Sequence, residues 1–514
     1  MSHYIIGIDI GTTSTKAVLF TPQGEAVCKH LVEYPLLTPV PGAAEQDPEE
    51  IFNAVVTTIR EVMANSGIDP KALLGIGFSS AMHSLIAVNE QGKPLTKSIT
   101  WADNRSAKWA EQLKQGQGHE IYLRTGTPIH SMSPLCKLIW LKNEHPELFN
   151  QAAKFISIKE FVFYQFLQEY AIDYSLAGAM GLLNMQTLDW DAEALEVAGI
   201  SAEQLSRLVP TTEQFCGMNA DLAAKLGILP ETPLIIGASD GVLSNLGVGA
   251  IAPGIFAVTI GTSGAIRAVV DRPIADPEER LFCYPLTEKY WVVGGAVNNG
   301  GLILRWMRDR FADAEVATAR QLGQESYDIM MQIAASVPPG ANGLIFHPYL
   351  MGERSPLWNS QARGSFVGLS MSHTRAHFIR AVLEGILLNL QLVLDALESF
   401  VGSAQRIQAT GGFARSPLWR QMLADVFNRE IAVPESYESS CLGAALLGLL
   451  GLGKIEDLEG TAEYMGETYR HSPDPEAVKT YQQMIPLYAR LLQALKPEYS
   501  ALASLQEGFK DNFG

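Results

Sequence analysis

Residues 7–16 read Gly-Ile-Asp-Ile-Gly-Thr-Thr-Ser-Thr-Lys. Apolar residues lie on both sides of this stretch, at positions 4–8 and 17–20. The arrangement predicts a hairpin, in which two strands are joined by a turn rich in hydroxyl groups. Such a turn presents backbone amides and hydroxyls that suit a phosphate group. An ordinary hairpin turn, whose Thr and Ser side chains satisfy their own backbone, is the alternative.

The same design occurs a second time, at residues 256–270. Its turn, Gly261-Thr262-Ser263, stands 250 positions after Gly11-Thr12-Thr13. A single repetition half a chain away favours two domains of similar topology over a solenoid of many short repeats. Strand-like runs alternate with amphipathic helices in both halves, which predicts an α/β fold with a central sheet in each domain. A Gly- and Ala-rich segment at 247–254 suits a hinge, so we expect domains at 1–248 and 249–514.

The 514 residues include 38 basic and 55 acidic side chains, which give a formal net charge of −17. We therefore expect neither nucleic acid nor an anionic membrane to be the main partner. The five scattered cysteines show no Cys-x-x-Cys spacing and are typical of reduced thiols. Because Asp9 interrupts the first apolar run, no signal peptide is expected, and the protein is predicted to be cytoplasmic.

Asp240 lies at the end of another apolar run. Residues 233–241 read Pro-Leu-Ile-Ile-Gly-Ala-Ser-Asp-Gly. A carboxylate at the mouth of a buried strand is placed where a general base can reach a bound hydroxyl. A base together with two turns suited to phosphate favours phosphoryl transfer to an alcohol. Asp9, at the end of the first strand, is a candidate to hold Mg²⁺, usually through water.

Two pairs of glycines precede predicted helices. Gly411-Gly412 stands just before a helix that Ser416 can cap and that Pro417 can begin. The missing side chains would allow a nucleotide to approach closely, although a simple strand-to-helix connection would need the same residues. Gly300-Gly301 is the second pair and is a candidate for the opposite wall of the nucleotide site.

Polar and aromatic residues suited to a sugar lie in the first half. His83 follows the strand-like run 75–78, and Trp101, Asp103 and Arg105 follow a polar turn. A Trp face packs against a sugar, and the other three hydrogen-bond to hydroxyls. A purely structural role stays open for each of them. The run Glu353-Arg354-Ser355-Pro356 is a further candidate either for ligand contact or for holding the domain interface.

With these residues assembled, the chain resembles the FGGY carbohydrate kinases, which belong to the ribonuclease H-like, actin-type ATPase superfamily. The resemblance covers about residues 4–450 and implies an α/β fold with two ribonuclease H-like domains around a central cleft. The motifs that carry it are Gly7-Ile-Asp-Ile-Gly-Thr-Thr-Ser-Thr-Lys16, Ser239-Asp240-Gly241, Thr259-Ile-Gly-Thr-Ser263, Arg380-Ala-Val-Leu-Glu-Gly385 and Ala409-Thr-Gly-Gly-Phe-Ala-Arg-Ser-Pro-Leu-Trp419.

The resemblance also implies roles for particular residues. Asp240 is the expected catalytic base, and Asp9 and Asp240 are the expected Mg²⁺ residues. The sugar is expected mainly on the first domain and ATP mainly on the second. Expected substrate residues are Met82, His83, Trp101, Asp103, Arg105 and Asp240; expected ATP residues are Thr12, Thr13, Ser14, Lys16, Gly261, Thr262, Ser263, Gly300, Gly411 and Gly412.

The motifs at residues 79–84, 100–106 and 125–140 look like those of gluconokinase members. D-Gluconate is therefore the expected substrate, and D-xylulose or another polyol is the alternative. The carboxylate of gluconate would need a cation, for which Arg105, His83, His130 and Lys137 are candidates. A non-enzymatic actin-like ATPase is a less favoured class, and a homodimer is a further expectation.

Overall fold

A computed structural model describes residues 3–434, 438–465 and 468–511. The chain forms two compact units, each discontinuous in sequence. Unit 1 comprises Met1–Pro253, Val269–Val293 and Glu438–Gly466. Unit 2 comprises Gly254–Ala268, Gly294–Tyr437 and Glu467–Gly514.

The strands and helices alternate along the chain, as the sequence predicted. The strands are β1 (Tyr4–Ile10), β2 (Ser14–Phe20), β3 (Ala26–Glu33), β4 (Glu45–Gln46), β5 (Leu73–Ser80), β6 (Ile86–Val88), β7 (Ser98–Ile99), β8 (Lys154–Ile156), β9 (Ala171–Asp173), β10 (Leu183–Asn184), β11 (Asp189–Trp190), β12 (Arg207–Val209), β13 (Gln214–Phe215), β14 (Leu234–Ser239), β15 (Ile255–Ile260), β16 (Gly264–Val270), β17 (Phe282–Pro285), β18 (Trp291–Val297), β19 (Ile345–His347), β20 (Ser365–Val367), β21 (Arg406–Thr410), β22 (Ile431–Pro434) and β23 (Thr468–His471). The helices are α1 (Pro48–Ser66), α2 (Ala107–Gln115), α3 (Gly118–Thr125), α4 (Pro134–Glu144), α5 (Pro146–Gln151), α6 (Ile158–Leu167), α7 (Tyr174–Ala179), α8 (Ala192–Ala198), α9 (Ala220–Leu226), α10 (Asp240–Leu246), α11 (Gly301–Phe311), α12 (Asp313–Leu322), α13 (Ser326–Ala335), α14 (Arg375–Val401), α15 (Pro417–Phe427), α16 (Ser439–Gly451), α17 (Pro475–Leu495) and α18 (Tyr499–Asp511).

The main sheet of unit 1 has the strand order β13-β14-β5-β1-β2-β3. β1 and β2 form the predicted antiparallel hairpin, with Asp9 opposite Lys16. β1 and β14 both run parallel to β5, so the carboxyl ends of these three strands meet at one edge of the sheet. Apolar side chains such as Ile6, Ile8 and Phe78 are fully buried beneath this edge.

Unit 2 repeats this arrangement. Six consecutive strands of its seven-stranded sheet follow the order β23-β22-β21-β15-β16-β18, and β17 comes after β18. β15 is antiparallel to β16 and parallel to β21, as β1 is to β2 and to β5. The two sheets therefore match over six consecutive strands, and the duplicated hairpin occupies the same place in each.

Helix α16 comes late in the chain but packs within unit 1. Its backbone lies so close to the sheet that a Cβ atom at Gly7 would be 1.9 Å from the Cys441 carbonyl oxygen. At Gly77 a Cβ atom would be 2.1 Å from the Ala444 carbonyl oxygen. Glycine is thus required where helix and strands meet, which explains two glycines inside otherwise apolar strands.

The predicted cut between residues 248 and 249 differs from these compact units, since the first break falls after Pro253 and α16 is grouped with unit 1. A single cut cannot group α16 with unit 1, because its packing partners Gly7 and Gly77 are distant in sequence. The cut itself stays a prediction about domain organisation.

Among the described residues, one helix, α14, is long and apolar enough to cross a membrane by length and composition. In its most apolar stretch, 83% is buried inside the protein. This burial is typical of the core helix of a globular domain, where apolar side chains surround the helix on every side.

Candidate active site

The two carboxylates predicted from the strand ends lie on the same edge of the unit 1 sheet. Asp9 is paired with Ser79 across β1 and β5, and Ser79 is paired with Ala238 across β5 and β14. Asp240 follows two residues later, as the first residue of α10. Since neighbouring strands are about 4.8 Å apart, the backbones that carry the two acids are separated by two strand spacings, roughly 10 Å. Both side chains are half-buried.

Burial perturbs Asp9, one of the two predicted metal ligands. Burial raises the pKa of its carboxyl group, against the lowering effects of the Ser79 hydrogen bond and of Lys16. The Ser79 hydroxyl donates to Asp9 Oδ1 over 2.8 Å. A nearby cation would favour the ionised form of such an acid. Mg²⁺ commonly uses one or two carboxylates together with water and phosphate, so Asp9 fits that ion. Within the described ranges, no group of three or more His, Cys, Asp or Glu side chains forms a ready-made metal cage.

The first turn is held by surrounding side chains. Trp101 Nε1 donates to Thr12 Oγ1 over 2.9 Å, which joins a predicted sugar residue to a predicted phosphate residue. Gln46 donates to the Thr12 carbonyl oxygen over 2.6 Å. Thr13 is exposed, and Ser14 is half-buried at the start of β2. The turn therefore keeps its exposed hydroxyl while its backbone is fixed.

Lys16 forms an ion pair that was not predicted from the sequence. Its ammonium lies 2.7 Å from Glu438 Oε2, and Lys29 lies 2.9 Å from the other oxygen of the same carboxylate. Glu438 stands at the N-terminus of α16, and the two lysines lower the pKa of this carboxyl group despite its partial burial. The predicted phosphate contact of Lys16 therefore competes with an ion pair that the sequence did not indicate.

His83 and Met82 follow β5 at the same edge. His83 has a backbone φ of 65°, which is strained for a residue with a side chain and is often found at functional sites. Its Nδ1 lies 2.7 Å from the Ala179 carbonyl oxygen, and the ring is buried. Met82 is partly buried against the hydrophobic cluster that includes Leu85 and Ile99. The structure thus brings both residues to the predicted sugar region.

Asp103 and Arg105 form an ion pair with each other. Asp103 is fully buried and accepts hydrogen bonds from the Ala44 amide and from Arg105. Arg105 also lies 2.5 Å from a carboxylate oxygen of Glu45, and its guanidinium stacks 4.5 Å from the centre of the Trp140 ring. These contacts favour the structural alternative for Asp103. The substrate roles of both residues stay predictions.

Lys137 connects two predicted sugar segments. It is fully buried on α4, and its ammonium donates to the carbonyl oxygens of His83, over 2.5 Å, and of Ile99, over 3.4 Å. Burial lowers the pKa of Lys137 to about 7. These contacts fix the backbone at His83 and just before Trp101, and they favour a scaffold role over contact with a carboxylate. His130, the fourth candidate cation, is also buried, and its Nδ1 accepts a hydrogen bond from the Met132 amide over 3.2 Å.

The predicted nucleotide residues of unit 2 come together around the second turn. The Gly301 amide donates to the Gly261 carbonyl oxygen over 2.7 Å, and the Leu302 amide donates to that of Thr262 over 3.1 Å. A Cβ atom at Gly300 would lie 2.4 Å from the Ser263 carbonyl oxygen. The start of α11 is therefore packed directly against the turn.

The glycine pair Gly411-Gly412 also lies close to this turn. Gly411 follows β21 with a φ of 108°, and a Cβ atom there would lie 2.4 Å from the Ile260 carbonyl oxygen. A Cβ atom at Gly412 would meet nothing within 4 Å. Gly411 is thus required by the packing, whereas Gly412 presents bare backbone to open space.

A pocket of about 410 Å³ in unit 2 is lined in part by residues 415–418, which follow this glycine pair in the chain. The part of the pocket wall that α13 contributes could not be predicted from the sequence, since these residues show only ordinary helical periodicity. The pocket is lined by Gln324, Asp328, Met331, Gln332, Ala335, Arg415, Ser416, Pro417 and Leu418.

Glu353, whose role the sequence left open, is a structural residue. It is fully buried and accepts hydrogen bonds from the Asn298 amide over 2.5 Å, from Asn299 Nδ2 over 3.0 Å and from Asn389 Nδ2 over 2.8 Å. Burial raises the pKa of its carboxyl group against these hydrogen bonds. Glu353 therefore braces the two asparagines that precede Gly300.

Comparison with known proteins agrees with this geometry. Residues 4–247 match the N-terminal domain of the FGGY family of carbohydrate kinases, and residues 256–452 match its C-terminal domain. The chain belongs to this family. The carbohydrate kinase activity and the two-domain, actin-like fold expected from the sequence are thereby confirmed.

Three relatives of this FGGY kinase are informative. A gluconokinase of Bacillus subtilis (strain 168) is 55% identical over 510 residues, which cover 99% of each chain. The solved structure of a gluconate kinase from Lactobacillus acidophilus has a TM-score of 0.92 and 39% identity, and the match covers 98% of this chain and 100% of that one. A ligand-bound xylulose kinase structure from the same organism has a TM-score of 0.91 and 39% identity, with coverages of 97% and 100%.

Proposed function

We propose that this FGGY kinase transfers the γ-phosphoryl group of ATP to D-gluconate and forms 6-phospho-D-gluconate. The observation that carries the proposal is the 55% identity to a gluconokinase over 99% of both chains. The matched region spans nearly the whole chain. The segments at 79–84, 100–106 and 125–140 also resemble those of gluconokinase members.

Asp240 is the proposed general base. It accepts the proton of the attacking hydroxyl while that oxygen approaches the phosphorus in line. The Asp240 carboxylate is oriented by the Gly241 amide, which donates to its Oδ1 over 2.7 Å. Thr12, Thr13 and Ser14 lie at the same edge as Asp9 and provide donors for the phosphoryl oxygens.

Unit 2 is the proposed site of the nucleotide. The turn of Gly261, Thr262 and Ser263 offers exposed backbone and hydroxyls to the phosphates, and Gly300, Gly411 and Gly412 allow close approach. The adjoining pocket of about 410 Å³ suits the base and ribose. Asp9 would hold Mg²⁺ through water, and that ion would supply positive charge to the phosphate oxygens.

D-Xylulose is the second candidate substrate. A xylulose kinase structure matches this chain with the same 39% identity as a gluconate kinase structure, so similarity of fold does not favour one sugar. The chain also binds most of its candidate cations internally, as Arg105 and Lys137 show. A neutral ketose would need no cation from the site.

A substrate panel tests the proposal. ADP release by the purified chain would be measured with ATP, Mg²⁺ and either D-gluconate, other aldonates, D-xylulose or simple polyols. We expect kcat/KM for D-gluconate to exceed that for D-xylulose by at least about 10²-fold, which corresponds to about 2.7 kcal/mol of differential binding. A preference for a neutral ketose would overturn the choice of substrate. Absence of acceleration by every compound would favour an ATPase of another class.

A further inference from the structure

The backbone that leads into Asp240 is irregular. β14 and β5 are paired at Ile235 and Gly77 and again at Ala238 and Ser79, so β14 holds one residue more than β5 between the two pairs. Gly237, within this bulge, has a φ of 69°, and a Cβ atom there would lie 1.8 Å from the Phe78 carbonyl oxygen. A bulge changes the direction of the residues that follow. The direction of Asp240 therefore depends on what fixes this bulge.

Lys159 binds the bulge from α6. Its side chain is 1% exposed, and its ammonium donates to the carbonyl oxygens of Ile236, over 2.9 Å, and of Ala238, over 3.2 Å. The third partner of the ammonium is Asp173 Oδ2, at 2.7 Å. Two of its N–H donors thus hold the backbone on either side of Gly237, and an ion pair joins the ammonium to Asp173.

Asp173 connects this contact to a second one. Its other carboxylate oxygen accepts the Leu176 amide over 3.0 Å and caps α7. Ser175, in the first turn of α7, accepts the Ser239 amide over 3.2 Å, and its hydroxyl lies 2.9 Å from that of Ser239. Ser239 directly precedes Asp240, so both sets of contacts bear on the same short segment.

Burial opposes the charge of Lys159 and lowers its pKa, while Asp173, Glu160 and Asp240 favour the charged form. A fully buried lysine and its partner are costly to desolvate, and an apolar pair of equal volume would often be as stable. A contribution to stability is therefore a weak explanation for the buried ion pair of Lys159 and Asp173. Its contacts instead lie where a small backbone shift would move the Asp240 carboxylate.

We propose that Lys159, Asp173 and Ser175 are positioning residues that fix the direction in which Asp240 presents its carboxylate to the attacking hydroxyl. The inference rests on the proposed role of Asp240 as the base. The three residues act through the β14 bulge and Ser239, without touching the substrate.

Ser175→Ala is the mildest test, because it keeps the Asp173 cap and removes only the contacts to Ser239. We expect kcat to fall about 10-fold or more, with KM for gluconate and for ATP within about 2-fold of the parent values, since misplacement by about 1 Å can cost 10²-fold. Ser206→Ala is the matched control: that buried hydroxyl donates to Glu160 instead of to the segment before Asp240. It should lose similar stability and keep kcat within about 2-fold.

A double-mutant cycle separates an effect on the position of Asp240 from a general loss of structural stability. In an Asp240→Asn background, Ser175→Ala should cause less than about a 2-fold further loss, because the residue acts through the base that has been removed. The double variant Lys159→Met/Asp173→Asn removes both buried charges together and should behave like Ser175→Ala. Additive losses, or equal losses of kcat in Ser175→Ala and Ser206→Ala, would overturn the inference. A parent protein that phosphorylates no sugar would instead overturn the proposed function.

Discussion

The turn at residues 11–13 and the turn at residues 261–263 occupy the same place in two sheets of the same strand order, but their surroundings differ. Beside the first turn lie Asp9 and Lys16, whose counterparts 250 positions later are Thr259 and Ile266. Side chains, including that of Trp101, hold the first turn together with the Tyr34 amide, whereas backbone amides from the start of α11 hold the second. The first hairpin thus carries an acid and a lysine beside its turn, and its copy carries neither at the equivalent positions.

The neighbouring parallel strand shows the same contrast. Asp9 is paired with Ser79, and Thr259 is paired with Thr410. Continuing from these pairs, Ser80-Ala-Met-His83 in unit 1 corresponds to Gly411-Gly-Phe-Ala414 in unit 2. Where unit 1 has His83, unit 2 has only the methyl group of Ala414, and Gly411 and Gly412 take the places of Ser80 and Ala81. This difference is consistent with the proposal that side chains of unit 1 bind the sugar and that the nucleotide approaches the backbone of unit 2.

Asp240→Asn should have the largest effect, because it removes the proposed general base, which unit 1 supplies. We expect kcat to fall by about 10² to 10⁴-fold, the range for loss of a general base. Asn can still accept the Gly241 amide, so the unfolding temperature should stay close to that of the parent. Asp221→Asn is the control, since Asp221 is an exposed acid in the first turn of α9. Near-normal turnover by Asp240→Asn, measured by ADP release, would show that another group is the base.

Asp9→Asn compared with Thr259→Val tests the contrast between the two hairpins directly. We expect kcat to fall about 10²-fold for Asp9→Asn, the scale for loss of one group that stabilises charge in the transition state. The Mg²⁺ concentration needed for half-maximal rate should also rise. Thr259→Val should change kcat by less than about 3-fold. Equal effects at the two positions in a Mg²⁺ titration would mean that the hairpins share one role.

Gly411→Ala and Gly412→Ala separate packing from ligand approach in unit 2. The clash at Gly411 and its positive φ should lower the free energy of unfolding by about 1–3 kcal/mol. Gly412→Ala should leave stability unchanged, because its Cβ atom meets nothing within 4 Å. If the nucleotide approaches this backbone, KM for ATP should rise about 10-fold in Gly412→Ala. Gly460→Ala, also in open space, is the control. Unchanged KM for ATP in Gly412→Ala would place the nucleotide elsewhere.

Trp101→Phe tests whether a side chain holds the first turn. It removes the hydrogen bond to Thr12, which is worth about 0.5–1.5 kcal/mol. We expect kcat/KM for the sugar to fall about 2- to 10-fold. Trp109→Phe is the matched control, because Trp109 Nε1 donates to Glu144, on α4, over 2.8 Å. If both variants lost the same activity in steady-state assays, the contact to Thr12 would have no specific role.

The sequence predicted the features that depend on local pattern. The hairpins, their offset and the acids at strand ends follow from alternating apolar residues and turn chemistry. The partners of Lys16, Glu353 and Lys159 could not be predicted, because each lies on an element distant in the sequence. Glu438, for example, stands 422 residues after Lys16. Nothing in the pattern around either residue indicates that α16 would pack against the first hairpin.

Glu438→Gln should have the smallest effect, and its pH dependence tests whether the first hairpin depends on this ion pair. Because the folded protein lowers the pKa of Glu438 below its usual 4.5, the pair stabilises the folded state above that pH. The stabilisation is lost as the pH falls through the folded pKa.

At pH 7 the variant should be about 1 kcal/mol less stable in denaturant titrations, a value near the upper end for exposed pairs because Glu438 is largely buried. Glu430→Gln, which removes an exposed pair with Arg470, should cost almost nothing. The difference between parent and Glu438→Gln should shrink below pH 4.5. A difference that persists unchanged at acid pH would mean that the Glu438 side chain acts through packing, and Lys16 would then be available to phosphate without loss of an ion pair.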